Sequence, residues 1–453
     1  MRVFNLILLL LFSFCIHAQI NYSANDMVPA YTGIFGFGAN MGYNPPWSDT
    51  QLANIACGNP AEGVEGVGVS TMRPALPEHF LEEYGYDNKI DEFQHYTSIG
   101  LKDNVAFIGY PSDDHRDQTY YCDEGKSKLF DNMYDPIWDD GEDGTPINDD
   151  NYYALYLYKM VSLYKDHVKF WEVWNEPDFS YKGWYPPGKE GNFWENNPDP
   201  CDYELRAPIF HYIRLLRISY EVIKYVDPEA YVAIGGIGYP SFLDAVLRNT
   251  DNPDEGLPTD EYALYGGAYF DVLSFHSYPH RDGSLREWSN DIDDFIYYRH
   301  SDAAMRGVLE KQKEMQDVLT DHNYDGENFP EKLWIITESN VPRKDFDEYW
   351  GSEEGQVNFM IKTLVACQQN DILQFHVYNL GEKDDYYGTD NGFDLMGLYE
   401  NLKDVEPYEQ VVNQSGIAYH TTSKLLKGAT YDEEETLAMN MTGDVKGAAL
   451  ETG

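Results

Sequence analysis

The chain has 453 residues and a mass of 52.2 kDa, with 42% hydrophobic and 15% aromatic residues. This composition supplies the core of one large domain or two ordinary ones and excludes disordered and fibrous classes. The formal net charge of −46 disfavours nucleic acid and anionic membrane surfaces as partners.

The N-terminus has the pattern of an export signal. Arg2 precedes an apolar run from Val3 to Ile16, and the small residue Ala18 follows. The run is short for a membrane span, so residues 1–18 are predicted to be a signal peptide, cleaved after Ala18. The bulky Phe14 before Cys15 disfavours a lipid anchor. We expect a secreted protein, extracellular or periplasmic, without membrane insertion.

Four cysteines remain in the predicted mature chain, namely Cys57, Cys122, Cys201 and Cys367. They lack the close spacing of a metal site, and an even number in an oxidising compartment is compatible with zero, one or two disulfides.

Short apolar runs alternate with longer helical patterns along the rest of the chain. The runs are Gly33–Asn40, Val67–Arg73, Val105–Tyr110, Phe170–Trp174, Tyr231–Ile237, Phe270–Phe275, Leu333–Thr337 and Ile372–Tyr378. Helical candidates include Tyr153–Lys165, Pro208–Val226, Ala303–Leu319, Gln356–Gln369 and Glu409–Leu426. Eight strand-and-helix units predict an α/β fold, a (β/α)8 TIM barrel over residues 19–428. Residues 429–453 are β-prone and are predicted to be a tail or the start of a small β region.

A barrel places its working residues at the carboxyl ends of its strands. Two apolar runs end in a glutamate there: Glu176, within Trp174-Asn175-Glu176-Pro177, and Glu338, within Ile336-Thr337-Glu338. Two such carboxyl groups facing one cleft suit glycosidic bond cleavage, in which one protonates the leaving oxygen and the other attacks the anomeric carbon.

These two motifs resemble the signatures of clan A glycoside hydrolases, retaining (β/α)8 enzymes, and family 39 is the nearest match. The Trp-Glu-Val-Trp-Asn-Glu-Pro-Asp run and the Phe-His-Ser-Tyr run carry that choice. The resemblance covers the whole barrel by order of elements. It implies that Glu176 is the general acid/base, that Asn175 donates to the sugar 2-hydroxyl, and that Glu338 is the nucleophile.

The resemblance extends to Arg73, Tyr278 and His276. Arg73 resembles the strand-two arginine that keeps the nucleophile ionised, Tyr278 the tyrosine that donates to it, and His276 the histidine two residues before that tyrosine. An ion-pair partner in the core is the alternative for Arg73, and satisfied core polar groups are the alternative for Tyr278 and His276. A cation and a donor both favour an ionised carboxylate.

Glu176, in contrast, has to keep a proton, and we expect burial against Trp171, Trp174 or Trp184 to favour that form. Tryptophans in or near loops after strands are candidates for stacking on sugar rings, with core packing as the alternative. They are Trp184, Trp194, Trp288 and Trp350. His280 and Arg281 are further candidates for substrate contact.

One position departs from the clan pattern. Clan members commonly carry a tryptophan at the end of strand eight, whereas this chain has Gln374-Phe375-His376-Val377-Tyr378-Asn379. Either His376 or Tyr378 takes that place, or the sugar is held differently.

One segment partly matches a calcium-binding loop but lacks an essential ligand. Residues 321–326 match the first half of an EF-hand loop, but Lys332 stands where the bidentate glutamate belongs. The acidic segment 139–144 reads as a solvated loop. We expect no metal and no cofactor.

The sequence therefore predicts a retaining glycoside hydrolase that cleaves a plant or algal polysaccharide or its oligosaccharides, endo-acting, as a monomer. One alternative is an exo-acting β-glycosidase of the β-xylosidase kind. The other is a carbohydrate-binding barrel without activity, which both glutamates argue against.

Overall fold

The computed structural model describes residues 22–139, 144–180, 193–194, 196–346, 350–442 and 447–452. Its strands are β1 (Gly36–Ala39), β2 (Thr71–Met72), β3 (Ala75–Pro77), β4 (Asn104–Gly109), β5 (Val168–Val173), β6 (Tyr231–Ile234), β7 (Val272–Ser277), β8 (Arg286–Ser289), β9 (Asp294–Tyr297), β10 (Leu333–Ser339), β11 (Ile372–Val377), β12 (Ala429–Asp432) and β13 (Ala449–Thr452). Its α-helices are α1 (Asp49–Cys57), α2 (Glu78–Tyr84), α3 (Ile90–Ile99), α4 (Tyr152–Tyr164), α5 (Ile209–Val226), α6 (Pro240–Arg248), α7 (Ser301–Asp321), α8 (Glu353–Gln369), α9 (Gln414–Leu426) and α10 (Glu433–Ala438).

Nine of the strands form one parallel sheet in the order β2-β1-β11-β10-β7-β6-β5-β4-β3. Its two outer strands, β2 and β3, are halves of a single strand that Arg73 and Pro74 interrupt. The Pro74 carbonyl accepts from the Phe107 amide at 3.1 Å, and the Ser70 carbonyl accepts from Lys102 at 2.9 Å. The sheet is therefore closed by this broken strand, and the predicted (β/α)8 barrel is confirmed.

The sequence patterns located the barrel strands well. Each of the eight predicted runs contains or overlaps a barrel strand, and the five helical candidates correspond to α4, α5, α7, α8 and α9. The second run differs most, because Pro74 lacks the amide hydrogen that a continuous ladder needs.

The barrel interior is filled in layers. Phe170, Tyr231, Val272 and Ile335 form an apolar layer with Val105 and Ala233. Because side chains alternate along a strand, Glu172, Ser274 and Thr337, each two residues further on, point into the next layer toward the carboxyl ends. All three are fully buried. An apolar layer thus supports a polar layer beneath the carboxyl ends of the strands.

The C-terminal segment is β-prone as predicted. Strands β12 and β13 pair antiparallel, with Ala429 opposite Thr452 and Asp432 opposite Ala449, and α10 lies between them in the chain. The domain boundary at residue 428 remains a prediction. Across the described part of the chain, every helix is too short or too polar to cross a bilayer.

Candidate active site

The two glutamates predicted from the strand ends lie side by side at the carboxyl end of the barrel. Glu338 is the second-last residue of β10, and Glu176 follows the end of β5. One carboxylate oxygen of each, together with one nitrogen of His276, lie within 4.8 Å of one another. Retaining glycosidases hold their two carboxyl groups about 5–5.5 Å apart, and inverting ones about 6.5–9.5 Å. The spacing therefore suits double displacement.

A local irregularity in β10 aims Glu338 into the cleft. The register of β10 against β7 shifts between Ile336 and Glu338, so that Glu338 stands opposite His276. In a regular strand, Thr337 and Glu338 would point to opposite faces of the sheet, but a bulge re-aims one of them. Thr337 consequently lies in the buried polar layer, while Glu338 reaches the cleft with its side chain 13% exposed.

Both oxygens of Glu338 accept hydrogen bonds. Arg73 Nη1 donates to Oε1 at 2.8 Å, and the Tyr278 hydroxyl donates to Oε2 at 2.6 Å. A cation and a neutral donor on separate oxygens stabilise the negative charge and fix the plane of the carboxylate. The structure thus brings Arg73 and Tyr278 to the positions that the sequence predicted for them.

Arg73 itself is buried and held by three further side chains. Its Nε donates to Glu172 Oε2 at 2.7 Å, its Nη2 to Asn175 Oδ1 at 2.6 Å, and its Nη1 to Asn40 Oδ1 at 3.3 Å. The contact with Arg73 uses the oxygen of the Asn175 amide, which leaves the amide nitrogen as the donor of that side chain. The ion-pair alternative for Arg73 and the catalytic one are therefore compatible, because one guanidinium pairs both with the buried Glu172 and with Glu338.

Glu176 is more exposed than its partner and is paired with His276. The His276 Nδ1 lies 2.7 Å from Glu176 Oε1, and the Glu176 side chain is 30% exposed, whereas that of His276 is 2% exposed. Burial raises the pKa of Glu176, but the hydrogen bond and charge of His276, with Arg73 and Lys311, outweigh it and lower that pKa. Burial lowers the pKa of His276, but Glu338 and Glu176 raise it above its ordinary value.

Burial favours the protonated form of Glu176 as expected, but its polar and charged neighbours outweigh this effect and lower the pKa overall. Trp171 and Trp174 are buried in the core, and Trp174 stacks on Tyr110 with ring centroids 4.3 Å apart. The main opposing partner is the imidazole of His276, which the tryptophan pattern does not reveal. The proton that a general acid requires belongs to the Glu176–His276 pair rather than to Glu176 alone.

Asp178 is a residue of this site that the sequence analysis did not single out. Its Oδ2 accepts from the amides of Gly238 and Tyr239, both at 2.8 Å, so it ties the segment after β5 to the segment after β6. Burial raises its pKa to about 7 despite these two donors. The residue follows Pro177 in the Asn-Glu-Pro-Asp run, which was the available signal.

Of the two residues considered at the end of the eighth strand, Tyr378 lies beside the residues of the site and His376 does not. Its ring meets Tyr278 edge-on at 5.8 Å, and Phe393 lies 4.8 Å from Tyr278. His376 is instead fully buried, with Nε2 2.9 Å from Gln374 Oε1. The side wall of the cleft is thus aromatic, and Phe393 belongs to it although no sequence motif marked it.

His280 and Arg281 pack on the same wall. The His280 ring is 5.3 Å from Phe393, and the Arg281 guanidinium lies over Phe393 at 5.3 Å. Both therefore stand behind or beside the aromatic residues of the cleft.

The candidate tryptophans divide by position. Trp184 lies outside the described residues. Trp288 is 48% exposed on the β8–β9 hairpin, which the segment after β7 carries, and Trp194 is 38% exposed. Trp350 is partly buried against the core. Trp194, between β5 and α5, and Trp288 therefore both have the exposure and the position after a barrel strand that sugar stacking requires.

Two groups of described residues have the donor atoms of a metal site: Glu176, His276 and Glu338, and Glu78, Glu82 and His115. In the first group, each member has hydrogen-bond partners on the protein, as given above. In the second, Glu78 accepts from Ser112 N at 2.5 Å and contacts His115 Nδ1 at 2.5 Å. Hydrogen bonds therefore account for both groups. At the rejected calcium loop, Asp325 accepts from the amides of Glu327 and Asn328.

Comparison with solved structures places the fold among glycoside hydrolases. A family 39 glycoside hydrolase from the gut symbiont Bacteroides cellulosilyticus WH2 matches with a TM-score of 0.52 and 16% identity over 90% of this chain and 67% of that chain. An exo-beta-1,4-mannosidase from Opitutaceae bacterium strain TAV5 matches with a TM-score of 0.48 and 13% identity over 86% and 59%. A glucosidase from Croceicoccus marinus matches with a TM-score of 0.46 and 12% identity over 86% and 67%.

At these identities the likeness is one of fold. The resemblance to family 39 that the motifs indicated is confirmed at that level. No protein-family model matches the chain, and no curated protein matches it.

Proposed function

We propose that the protein is a retaining glycoside hydrolase, with Glu338 as nucleophile and Glu176 as general acid/base. The observation that carries the proposal is the pair of carboxyl groups at the carboxyl ends of β5 and β10, with oxygens within 4.8 Å and different environments. Glu338 is charge-stabilised by Arg73 and Tyr278, and Glu176 is linked to a titratable imidazole. Pairs whose environments differ in this way take different roles in acid–base chemistry.

The reaction follows from these contacts in two displacements. Glu338 attacks the anomeric carbon while Glu176 protonates the departing glycosidic oxygen, and the carbon–oxygen bond breaks as the glycosyl–enzyme bond forms. Glu176 then takes a proton from water, whose oxygen displaces Glu338 and restores the original anomeric configuration. Asn175, oriented by Arg73, would donate to the 2-hydroxyl of the sugar bound at this position.

The proposed substrate is a plant or algal polysaccharide or its oligosaccharides, cut internally. The aromatic wall at Tyr278, Tyr378 and Phe393 suits contact with sugar rings. The exposed Trp288 and Tyr297 on the β8–β9 hairpin would extend contacts along a chain. A net charge of −46 argues for a neutral glycan over one rich in uronate or sulfate.

We further propose that the protein is exported and acts as a monomer. The export signal of residues 1–18 supports secretion, and so does the disulfide between Cys122 and Cys201, since such bonds persist in oxidising compartments. Expression of the full chain in a bacterial host, followed by N-terminal sequencing of exported protein, should give Gln19 as the first residue. Size-exclusion chromatography with light scattering should give the monomer mass.

The deciding experiment measures reducing ends released from a panel of neutral and anionic plant and algal polysaccharides. We expect one neutral polysaccharide to be cut, with products that retain configuration, and Glu338→Ala to lose at least about 10⁴-fold in kcat. Glu434→Ala, at an exposed glutamate on α10 in the C-terminal segment, is the matched control. Short products released only from one chain end would favour the exo alternative. Binding without cleavage by any sample would favour the inactive barrel.

Added azide separates the two roles. With Glu338→Ala, azide should attack from the vacated face and give a glycosyl azide of inverted configuration. With Glu176→Ala and an activated aryl glycoside, azide should intercept the glycosyl enzyme and give the retained configuration. The opposite pattern would exchange the two assignments.

A further inference from the structure

Beneath the two glutamates, a buried polar triad connects the nucleophile side of the site to the acid/base side. Glu172 Oε1 lies 2.6 Å from Ser274 Oγ and 2.7 Å from Thr337 Oγ1, and the two hydroxyls are 2.8 Å apart. Its other oxygen, Oε2, is held by Arg73. Thr337 Oγ1 also lies 3.0 Å from His276 Nε2. The chain of contacts therefore runs from Arg73 through Glu172 and Thr337 to His276.

Counting hydrogens assigns the direction of these bonds. Every group around Glu172 is a donor, so its carboxylate accepts throughout. Glu172 Oε1, Ser274 Oγ and Thr337 Oγ1 make three mutual contacts but share two hydroxyl hydrogens, so one contact has none when both hydroxyls donate within the triad. If Thr337 donated to His276 instead, two of the three contacts would lack a hydrogen, so its single hydrogen stays within the triad. Thr337 then presents a lone pair to His276. The hydrogen in that contact belongs to His276 Nε2.

We propose, on the basis of the function proposed above, that Thr337, oriented by Glu172, holds His276 with its hydrogen on Nε2. The neutral ring then has a bare Nδ1, 2.7 Å from Glu176 Oε1. A bare nitrogen and a carboxylate repel, so one proton is retained between them, either as protonated Glu176 or as protonated His276. The other neutral tautomer, with hydrogen on Nδ1, would stabilise Glu176 as a carboxylate and remove the general acid. Thr337 and Glu172 are thus positioning residues for the acid step.

The proton balance is simple. In the first displacement the pair gives its one proton through Glu176 to the glycosidic oxygen, and the electrons of the broken carbon–oxygen bond stay with that oxygen. The Glu176–His276 pair then has no transferable proton, while the N–H group at His276 Nε2 still donates to the Thr337 hydroxyl. In the second displacement the attacking water loses a proton to the pair, which returns to its starting state.

The test compares leaving groups, because a poor leaving group needs the proton and a dinitrophenolate does not. Thr337→Val removes the acceptor. The ratio of kcat for an alkyl or unsubstituted phenyl glycoside to kcat for the dinitrophenyl glycoside should fall about 10- to 100-fold. Thr337→Ser keeps the hydroxyl and should restore the ratio. Thr422→Val, at a buried hydroxyl that donates to the Ala418 carbonyl, is the matched control and should not change it.

Glu172→Gln provides a second, independent variant. The amide oxygen would accept from Arg73, and the amide nitrogen would donate toward Ser274 and Thr337. Thr337 would then be free to donate to His276 Nε2, which moves the ring hydrogen to Nδ1. The same fall in the leaving-group ratio is expected, together with a change of the His276 tautomer in ¹⁵N spectra of histidine-labelled protein, assigned with His276→Gln.

The outcomes separate this inference from the proposed function. If the wild type cleaves glycosides but Thr337→Val slows both substrates equally, or if neutral His276 carries its hydrogen on Nδ1, the inference is wrong and the function stands. If the wild type cleaves no glycoside, the proposed function fails, and the tautomer measured by NMR still decides the hydrogen-bond assignment. Melting temperatures of all variants show whether each is folded.

Discussion

At the scale of single residues, Arg73 is the side chain on which most of the site depends. It joins a fully buried carboxylate, Glu172, to a partly exposed one, Glu338, and it also fixes Asn175. Both ion pairs are largely removed from water. The attraction within each pair therefore mainly offsets the desolvation cost of the two charges and adds little net stability. Removing the cation leaves Glu172 as an uncompensated charge inside the barrel.

We therefore expect Arg73→Met to lower the free energy of unfolding in urea by about 3–5 kcal/mol. Lys362→Met breaks an exposed ion pair with Asp302 and should lose about 0–1 kcal/mol. Adding Glu172→Leu to Arg73→Met should recover part of the loss, since the unpaired charge is then gone. Equal losses for the two single variants would show that Arg73 has no role in stabilising the barrel interior.

Residues at strand ends were accessible from sequence, and residues within the barrel were not. Glu176, Glu338 and Arg73 each follow an apolar run, which marks a carboxyl end. Glu172 and Thr337 lie inside such runs, where a single polar residue is typical of the alternation between the two faces of a strand. Their role depends on hydrogen-bond partners from other strands, between 61 and 165 residues away along the chain, and local patterns contain no information about these.

At the scale of elements, two segments that follow neighbouring barrel strands are joined covalently. Cys122, on the segment between β4 and α4, is bonded to Cys201, on the segment between β5 and α5. Their backbones also meet nearby, where the Lys128 amide donates to the Leu205 carbonyl at 3.0 Å. The bond closes a loop of 79 residues in sequence, which restricts the unfolded chain.

Replacing both cysteines, in Cys122→Ala/Cys201→Ala, is expected to lower the free energy of unfolding by about 2–4 kcal/mol. Cys57→Ala, at a free and partly buried thiol, serves as the control. Guanidinium titrations under non-reducing conditions measure both. A double variant as stable as the wild type would mean that the disulfide does not measurably restrict the conformations of the unfolded chain.

The element patterns predicted strands better than their irregularities. The interruption of the second barrel strand at Pro74 follows from proline chemistry, but its use in closing the sheet depends on β1 and β4 as neighbours. The β8–β9 hairpin was not predicted, because its strands are short and largely exposed and show no apolar alternation. The bulge in β10 is likewise invisible in an apolar run.

At the scale of the whole molecule, burial decides how stability depends on pH. Burial lowers the pKa of His376 to about 3, and Arg73 adds to this effect. His211 and His280 are lowered by burial in the same direction, each to about 4. Between the ordinary histidine value of about 6.5 and these values, the unfolded chain binds protons that the folded chain does not.

Stability from His376 is therefore full above about pH 6.5 and is lost as the pH falls toward 3. We expect His376→Gln to reduce the slope of unfolding free energy against pH, between about pH 5.5 and 4.5, by about 1.4 kcal/mol per pH unit. Urea titrations at several pH values give the slope. Asp178 and Glu92 have raised pKa values of about 7, so they contribute to the slope of unfolding free energy against pH with the opposite sign. The slope of the variant therefore has to be compared with that of the wild type. An unchanged slope would show that His376 is protonated in the folded protein.

The sequence by itself determined the barrel, the order of its strands and the two glutamates at strand ends. Apolar runs and the residues that stop them are local properties, and a (β/α)8 barrel converts their order into position. The tertiary structure alone decided which partners surround each glutamate, that Tyr378 packs against Tyr278 while His376 is buried, and which cysteines pair. Those outcomes depend on distances between strands far apart in the chain, since burial and hydrogen bonding act through space.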